Sequence, residues 1–340
     1  MGNGKEFAAL GFGEVMMRLS PSGKERIGQS ESFVKHAGGS ELNVVSGISR
    51  LGLRCGQISK LPDNALGRYI RNRIRYYGVS DDHVVTDRGK DARLGVYYYE
   101  SAVYPRKPQV VYDRKYSSFT TIDREEFSDE IYGTTELFHT SGISLALGRN
   151  ARETALHMMH RFKAAGAKIS FDVNYRASLW GEEEARGVIL DILPLLDVLF
   201  ISEETCRRMM GRTGALEDIL RGFAREYDIS VVASTQRKAI TPSRHNFGSL
   251  LYWAEDDSFH TEAPYENIEV VDRIGSGDAY VSGVLYSLLS GLGPDEAVAF
   301  GDAMAAVKNT IPGDRLTTDL DEITDIINDH KNGSTSEMKR

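Results

Sequence analysis

The segment Gly275-Ser276-Gly277-Asp278 has the residue types and spacing of a phosphoryl-transfer site. It follows the extended run Ile268–Val271 and precedes an apolar stretch with the character of a helix. Small residues let a backbone approach a ligand closely and turn its N–H groups toward it. A helix N-terminus adds a positive partial charge at the same place, so the segment reads as an anion hole. Asp278 falls in the first turn, where it could simply cap the helix. Beside an anion hole a carboxylate can also accept the proton of a hydroxyl that attacks phosphorus, while the N–H groups of Gly275, Ser276 and Gly277 hold the transferred oxygens. Two further clusters are candidates for the same site. One is Ala37-Gly38-Gly39-Ser40 with Asn43, a turn or a ligand loop ahead of a helix. The other is Asp172-Val173-Asn174-Tyr175-Arg176 at the C-terminal end of a strand, where open α/β sheets bind their ligands.

The elements that must position these residues follow from apolar periodicity. A short buried strand is predicted over 7–12. Leu42, Val44, Val45, Ile48 and Leu51 then mark a helix ended by Gly52, and Leu66, Ile70 and Ile74 a second ended by Gly78. Val- and Tyr-rich segments at 93–100 and 109–112 read as a strand pair, which 18–34 could join. From Glu136 strands and helices alternate. Strands are predicted over 137–143, 168–173, 198–201 and 230–234, and helices over 153–164, 182–195 and 215–227. Further helices are predicted over 277–290, 295–310 and 319–329. That order implies a mostly parallel central sheet flanked by helices on both faces. The expectation is one α/β domain over 1–330. A small β-sheet lid from about 14–35 and 92–118 is inserted in it, and 331–340 form a disordered tail.

Composition bounds the function. The 340 residues are 41% hydrophobic and 26% charged, with a formal net charge of −8. That is a globular composition without the basic excess that nucleic acid or an anionic membrane demands. The most apolar stretch, 188–201, is interrupted by Asp191, Pro194 and Asp197 and does not span a bilayer. Two cysteines, Cys55 and Cys206, without metal-ligand spacing and with no signal sequence ahead of them, fit a reducing cytoplasm. Asn332-Gly333-Ser334 then matches a glycosylation sequon by chance. Gly11-Phe12-Gly13 follows a strand, but Met16 occupies the place of the third glycine of a dinucleotide fingerprint, which disfavours an oxidoreductase. No Walker A sequence is present. A sugar-binding module without catalysis would not need Gly275, Gly277 and Asp278.

The three clusters together resemble the ribokinase-like (PfkB) carbohydrate kinases. Asp272 to Asp278 is similar to that family's closing motif Asp-Thr-x-Gly-Ala-Gly-Asp, with Arg273 in place of Thr. Gly38, Gly39 and Asn43 resemble its early Gly-Gly and Asn, and Asp172, Asn174 and Arg176 its Asp-x-Asn-x-Arg. Ser202-Glu203-Glu204-Thr205 stands where the family has Asn-x-x-Glu and departs from it at both ends. Within the family, Gly13–Leu19 and Lys308-Asn309-Thr310-Ile311-Pro312-Gly313-Asp314 resemble 2-keto-3-deoxygluconate kinases, as does the nucleotide-side loop with Ser234, Thr235, Gln236, Arg237, Ser243, Arg244 and Asn246. The resemblance implies a ribokinase-like fold, ATP and Mg2+, and Asp278 as base. It implies a sugar-acid site of Gly38, Gly39, Asn43, Tyr98 or Tyr99, Tyr112, Arg114, Arg176 and Asp314. It implies nucleotide contacts from Asn174, Ser202, Ser234, Arg237, Gly275, Gly277 and Asn309, and magnesium organised through Glu203 or Glu204. Arginine suits a carboxylate because it donates two parallel N–H bonds. A fructokinase or another ketose kinase is the nearest rival and would need no such arginines. The exposed edges of an aromatic lid sheet could pair with a second copy of the chain.

Overall fold

The computed structural model describes residues 4–241 and 243–333. Its strands are β1 (Phe7–Phe12), β2 (Met16–Pro21), β3 (Phe33–Gly38), β4 (Cys55–Pro62), β5 (Val79–Ser80), β6 (Val84–Asp87), β7 (Val96–Glu100), β8 (Gln109–Asp113), β9 (Thr135–Ser141), β10 (Lys168–Asp172), β11 (Val198–Phe200), β12 (Val231–Thr241), β13 (Arg244–Trp253), β14 (Ser258–His260) and β15 (Tyr265–Glu269). Its α-helices are α1 (Ser40–Arg50), α2 (Ala65–Tyr76), α3 (Gly142–Ala146), α4 (Arg149–Ala164), α5 (Glu182–Ile192), α6 (Glu203–Arg208), α7 (Leu216–Tyr227), α8 (Ser276–Leu289), α9 (Pro294–Asn309) and α10 (Leu320–Asn332).

The large sheet has the order β14-β13-β12-β11-β10-β9-β1-β4-β5, with β15 on β13 and β6 on β4. From β4 to β12 every neighbouring pair is parallel, and β13, β14 and β15 add an antiparallel edge. Strand alternation divides the core into two layers. Leu199 and Phe138 join the cluster under α4, α5 and α7, with Met158, Ile189 and Phe223. Val198, Phe200 and Leu137 face the other way, toward Val45, Tyr280, Val284 and Val298 of α1, α8 and α9. The chain leaves β1 toward β4 on one side and returns to β9 on the other. The crevice at this reversal is where α/β sheets of this kind hold ligands.

A separate four-stranded sheet, β3-β2-β7-β8, stands beside that crevice. Tyr97 and Tyr99 on β7 face the large domain and pack with Met16 and Ile274, whereas Tyr98 points away onto Phe33. The small sheet is fixed to the domain by Arg18 on β2. This guanidinium is 3% exposed and donates to Asp272 Oδ2 and Asp314 Oδ1, each at 2.5 Å. Burial disfavours its charge, but Asp314 and Asp272 outweigh that and hold its pKa above the ordinary arginine value.

Several segments differ from the sequence expectation, among them the following. The strand expected over 230–234 runs on to Thr241 and pairs with β13, so 234–241 and 244–246 are sheet, not loop. Its outer half is exposed on both faces, so backbone pairing, not a buried hydrophobic face, makes it a strand. The strand expected to reach Ile143 ends at Ser141, whose side chain accepts from Ile143 N–H and starts α3. Helix α10 continues through Asn332 and ends at Gly333 in the left-handed region. The expected tail boundary is therefore too early, and 334–340 lie outside the described residues. Both cysteines are buried, and no helix among the described residues is long and apolar enough to cross a membrane.

Removing one partner of a buried ion pair strands the others. Arg18→Ala should therefore lower stability to urea unfolding by about 3–5 kcal/mol. Removing the exposed Arg93–Asp113 pair through Arg93→Ala should cost about 1 kcal/mol or less.

Candidate active site

The site is built where α8 begins. Gly275 takes φ 83°, and a Cβ there would lie 1.8 Å from the carbonyl oxygen of Asp314. Only glycine can make this turn. Nothing would meet a Cβ on Gly277, so that face of the turn is open. The Ser276 N–H closes weakly onto Arg273 O at 3.3 Å. The N–H groups of Gly275 and Gly277 have no backbone acceptor among the described residues, which leaves them available to an anion.

Asp278 projects from the first turn of α8. Its two carboxylate oxygens accept from Ser40 Oγ and Asn43 Nδ2, both at 2.7 Å, and Asn174 Nδ2 donates to the same Ser40 oxygen at 2.9 Å. Both partners come from the N-terminal end of α1 and not from α8. Asp278 is therefore held from across the crevice instead of capping its own helix. Burial raises its pKa, partly offset by the hydrogen bonds of Asn43 and Ser40 and by the charge of Arg176. Asp172, at the end of β10, is raised to about 7, first by burial and then by the Asp278 charge, with Arg176 opposing. Glu41 is also raised by burial. It accepts from Ser141 Oγ at 2.6 Å and Ser144 Oγ at 2.7 Å and so ties the start of α1 to the end of β9 and to α3.

Two cavities meet at this turn. One, of about 280 Å³, lies under the small sheet and is lined by Gly39, Asn43, Tyr97, Tyr112, Arg114, Arg176, Arg237, Arg273, Asp278 and Asp314, among others. The other, of about 460 Å³, lies over the ends of β11 and β12, with Asn174, Ser202, Glu204, Thr235 and Tyr280 in its wall. Asp172, Asn174, Arg176 and Gly277 line both. Arg176, Arg237 and Arg273 line the smaller cavity and make no close ion pair among the described residues, although Arg176 is near enough to Asp172 and Asp278 to oppose their upward pKa shifts. Their charge suits an anionic ligand, although the chain as a whole is acidic.

The structure rearranges several expected contacts. Tyr98 lies on the outer face of β7 and Tyr99 lies under the Arg18 guanidinium, whose central carbon is 4.4 Å from the ring centroid; Tyr97 takes the place in the cavity expected for one of them. Alternation along a strand leaves the face undetermined until its partner strand is known. Gly38 is not in the wall; a Cβ there would lie 2.1 Å from Asp314 Oδ2, so it makes room for that carboxylate. Ser234 points into the sheet while its neighbours Ala233 and Thr235 line the larger cavity. Arg237 lines the smaller cavity instead. Asn309 is buried, with its amide on Ala305 O at 2.8 Å and its carbonyl receiving the N–H groups of Val271 and Asp272. Glu204 borders the larger cavity, but Glu203 does not. Arg114 reaches the smaller cavity already paired with Glu14, which also accepts from Ser117. Spacing carried no signal for Glu14, Arg18, Ser117 or Tyr97. Ser40 was within reach, since it directly follows Gly39.

A crevice with an anion hole, a carboxylate beside it and cations around it defines a group-transfer enzyme acting on phosphates. Comparison with known proteins makes this specific: the chain belongs to the pfkB family of carbohydrate kinases, whose family model matches residues 9–319. It is 35% identical over 316 residues to the 2-dehydro-3-deoxygalactonokinase of Haloferax volcanii, covering 93% of this chain and 95% of that protein. It is 29% identical to the 2-dehydro-3-deoxygluconokinase of Bacillus subtilis, covering 90% of each. Among solved structures, the 2-dehydro-3-deoxygluconokinase of Thermotoga maritima superposes with a TM-score of 0.90 at 31% identity, over 94% of this chain and 98% of that one. The ribokinase-like fold and the kinase activity expected from the motifs are thereby shown.

The raised pKa of Asp172 has a consequence for stability. An unfolded chain releases that proton near 3.8 and the folded chain near 7. Between these values the folded state holds the extra proton, so this group's contribution to stability falls as pH rises from about 4 to 7. Urea unfolding at pH 5 and pH 8 should show that decline in the wild type and a smaller one in Asp172→Asn.

Proposed function

We propose that this kinase transfers the γ-phosphoryl group of MgATP to the 6-hydroxyl of a 2-keto-3-deoxyaldonate, with 2-keto-3-deoxygluconate as the primary substrate. The observation that carries the reading is the Asp278 carboxylate, held by Ser40 and Asn43 where the two cavities meet. The sugar acid occupies the smaller cavity and the nucleotide the larger, so the acceptor hydroxyl and the γ-phosphate approach each other across Gly275–Asp278. Asp278 takes the proton of the hydroxyl as its oxygen attacks phosphorus. The bond from phosphorus to the β–γ bridging oxygen breaks, and ADP leaves. A carboxylate with a raised pKa is a stronger base than a surface one, and burial raises Asp278 in this way. The N–H groups of Gly275, Ser276 and Gly277 take up charge on the transferred oxygens, each worth ~2.7–4 kcal/mol.

Gly39, Asn43, Tyr97, Tyr112, Arg114, Arg176 and Asp314 surround the sugar. Gly38 acts behind them by admitting Asp314. Arg176, which has no carboxylate of its own, grips the acid group together with Arg114, whose charge Glu14 balances. The names of the Haloferax, Bacillus and Thermotoga relatives, all of them kinases of 2-dehydro-3-deoxy sugar acids, support an acidic substrate. The Haloferax name favours the C4 epimer as a second substrate, because recognition of a carboxylate is indifferent to that centre. Asn174, Ser202 and Thr235 face the nucleotide, and Arg237 and Arg273 approach its phosphates from the sugar side. No group of three His, Cys, Asp or Glu side chains that could hold a metal converges among the described residues. Magnesium would enter with the ATP phosphates, and Asp172 and Glu204 are the carboxylates in the wall of that cavity that could organise it. The small sheet acts as the lid that excludes water.

Assay over gluconate- and galactonate-type keto-deoxy acids, aldonic acids and fructose, with the product position read by NMR, should show phosphorylation of the keto-deoxy acids at the 6-position. Fructose as the preferred substrate would overturn the sugar-acid reading. Asp278→Asn should keep its fold and lose on the order of 10²–10⁴-fold in kcat. Arg176→Ala should raise KM for the acid by about tenfold to a hundredfold, from the loss of one charge-assisted hydrogen bond, and leave KM for any neutral sugar nearly unchanged.

A further inference from the structure

Lys308 is a charged side chain that the reaction as described does not use. It lies in the last turn of α9 and has no exposed surface. Its ammonium has no carboxylate in hydrogen-bond contact. It donates instead to two backbone carbonyls, Asp272 O and Ile311 O, each at 3.0 Å. These belong to the two segments that must meet for the site to exist. Asp272 opens the turn that leads to Gly275, and Ile311 opens the loop that carries Asp314. The same segments are joined by Val271 N–H and Asp272 N–H to Asn309 O, by Gly313 N–H to Asp272 Oδ2 at 3.0 Å, and by the close contact of Gly275 with the Asp314 carbonyl. The charge sits at the C-terminal end of α9, where the helix dipole favours a cation. Burial lowers the amine to about 8, while the charges of Asp272 and Asp314 pull upward, Arg18 pulls downward, and Asp278 adds a small upward pull. At neutral pH the group therefore keeps its proton.

We propose that Lys308 is a positioning residue for phosphoryl transfer, an internal cation whose ammonium ties the Asp272 and Ile311 carbonyls together and thereby sets the Gly275–Asp278 turn. It does not touch the sugar or the nucleotide. A hydrophobic side chain could fill the same space but could not satisfy two inward carbonyls, whose desolvation would remain uncompensated. The proposal rests on the reading of that turn as the transfer centre. It implies that a small cation can substitute for the side chain. Truncation to alanine leaves a cavity next to two carbonyl oxygens, a setting that accepts ammonium, methylammonium or potassium but not tetramethylammonium, which is larger and has no N–H.

The test measures kcat and KM of Lys308→Ala in ammonium, methylammonium, potassium and tetramethylammonium chloride at equal ionic strength, with any sugar that the wild-type chain phosphorylates. The wild type, with its own cation in place, should turn over equally in all these salts. Misplacing reacting groups by about 1 Å costs on the order of 100-fold. In tetramethylammonium, Lys308→Ala should lose that much in kcat with little change in KM, and ammonium should restore it saturably by about tenfold or more. Lys308→Gln, which keeps a donor without the charge, should show the same loss, with circular dichroism confirming a native fold. A kcat for either variant near that of the wild type would overturn the proposal. So would a folded alanine variant whose loss none of the three small cations restores, or failure of both variants to fold. Asp278→Asn, run alongside, separates the two readings: normal turnover there removes the transfer centre itself, whereas normal turnover in the Lys308 variants removes only the positioning role.

Discussion

Asp272 carries the constraint on which the rest of the site depends. Its carboxylate receives Arg18 from the small sheet at 2.5 Å, Gly313 N–H at 3.0 Å and Ile274 N–H at 3.1 Å. Its carbonyl receives Lys308, and its N–H is held by Asn309 O. One residue thus joins the small sheet, the end of α9, the 311–314 loop and the turn into α8. Arg18 reaches Asp314 with its other nitrogen, and the Tyr97 hydroxyl donates to the same carboxylate. Two carboxylates held by one buried guanidinium would repel each other without it. The network therefore has an all-or-none character that exposed ion pairs on the surface lack.

This arrangement explains why an exposed sheet and a buried helix can act as one unit. The small sheet contributes Tyr97 and, with the segment that follows it, Arg114 to the wall of the smaller cavity. It is anchored through Arg18 at the residue from which the Gly275–Asp278 turn departs. A ligand that draws the sheet inward acts directly on the backbone that presents the Gly275–Gly277 amides. The same few contacts join the wall of the smaller cavity to the turn that presents the anion hole.

Much of the fold was legible because it is local. Phe7–Phe12, the Leu42–Ile48 helix and the alternation after Glu136 follow from apolar periodicity, and these elements place the crevice. The turn at the start of α8 was legible as an anion-binding turn because glycine at 275 is demanded by backbone geometry, which is also local. What was not legible depends on register between distant segments. Arg18 is 254 residues from Asp272 and 296 from Asp314. Nothing near it in sequence distinguishes a buried clamp from a surface charge. The choice of Tyr97 over Tyr98 and Tyr99 required the pairing of β7 with β2, and the neutralisation of Arg114 by Glu14 spans 100 residues. The outer half of β12 reads as loop because its residues are exposed on both faces, without an apolar alternation, and backbone pairing makes it a strand.

The central claim is that Asp278 and the Gly275–Gly277 amides face the acceptor hydroxyl and the γ-phosphate across the junction of the two cavities. A crystal structure with 2-keto-3-deoxygluconate and a non-hydrolysable ATP analogue tests it most directly. The account predicts the terminal hydroxyl oxygen within about 2.6–3.2 Å of an Asp278 carboxylate oxygen, with the γ-phosphate on the Gly275 and Gly277 N–H groups. A sugar bound with that hydroxyl turned away from Asp278, or a nucleotide whose phosphates lie away from the start of α8, would contradict it.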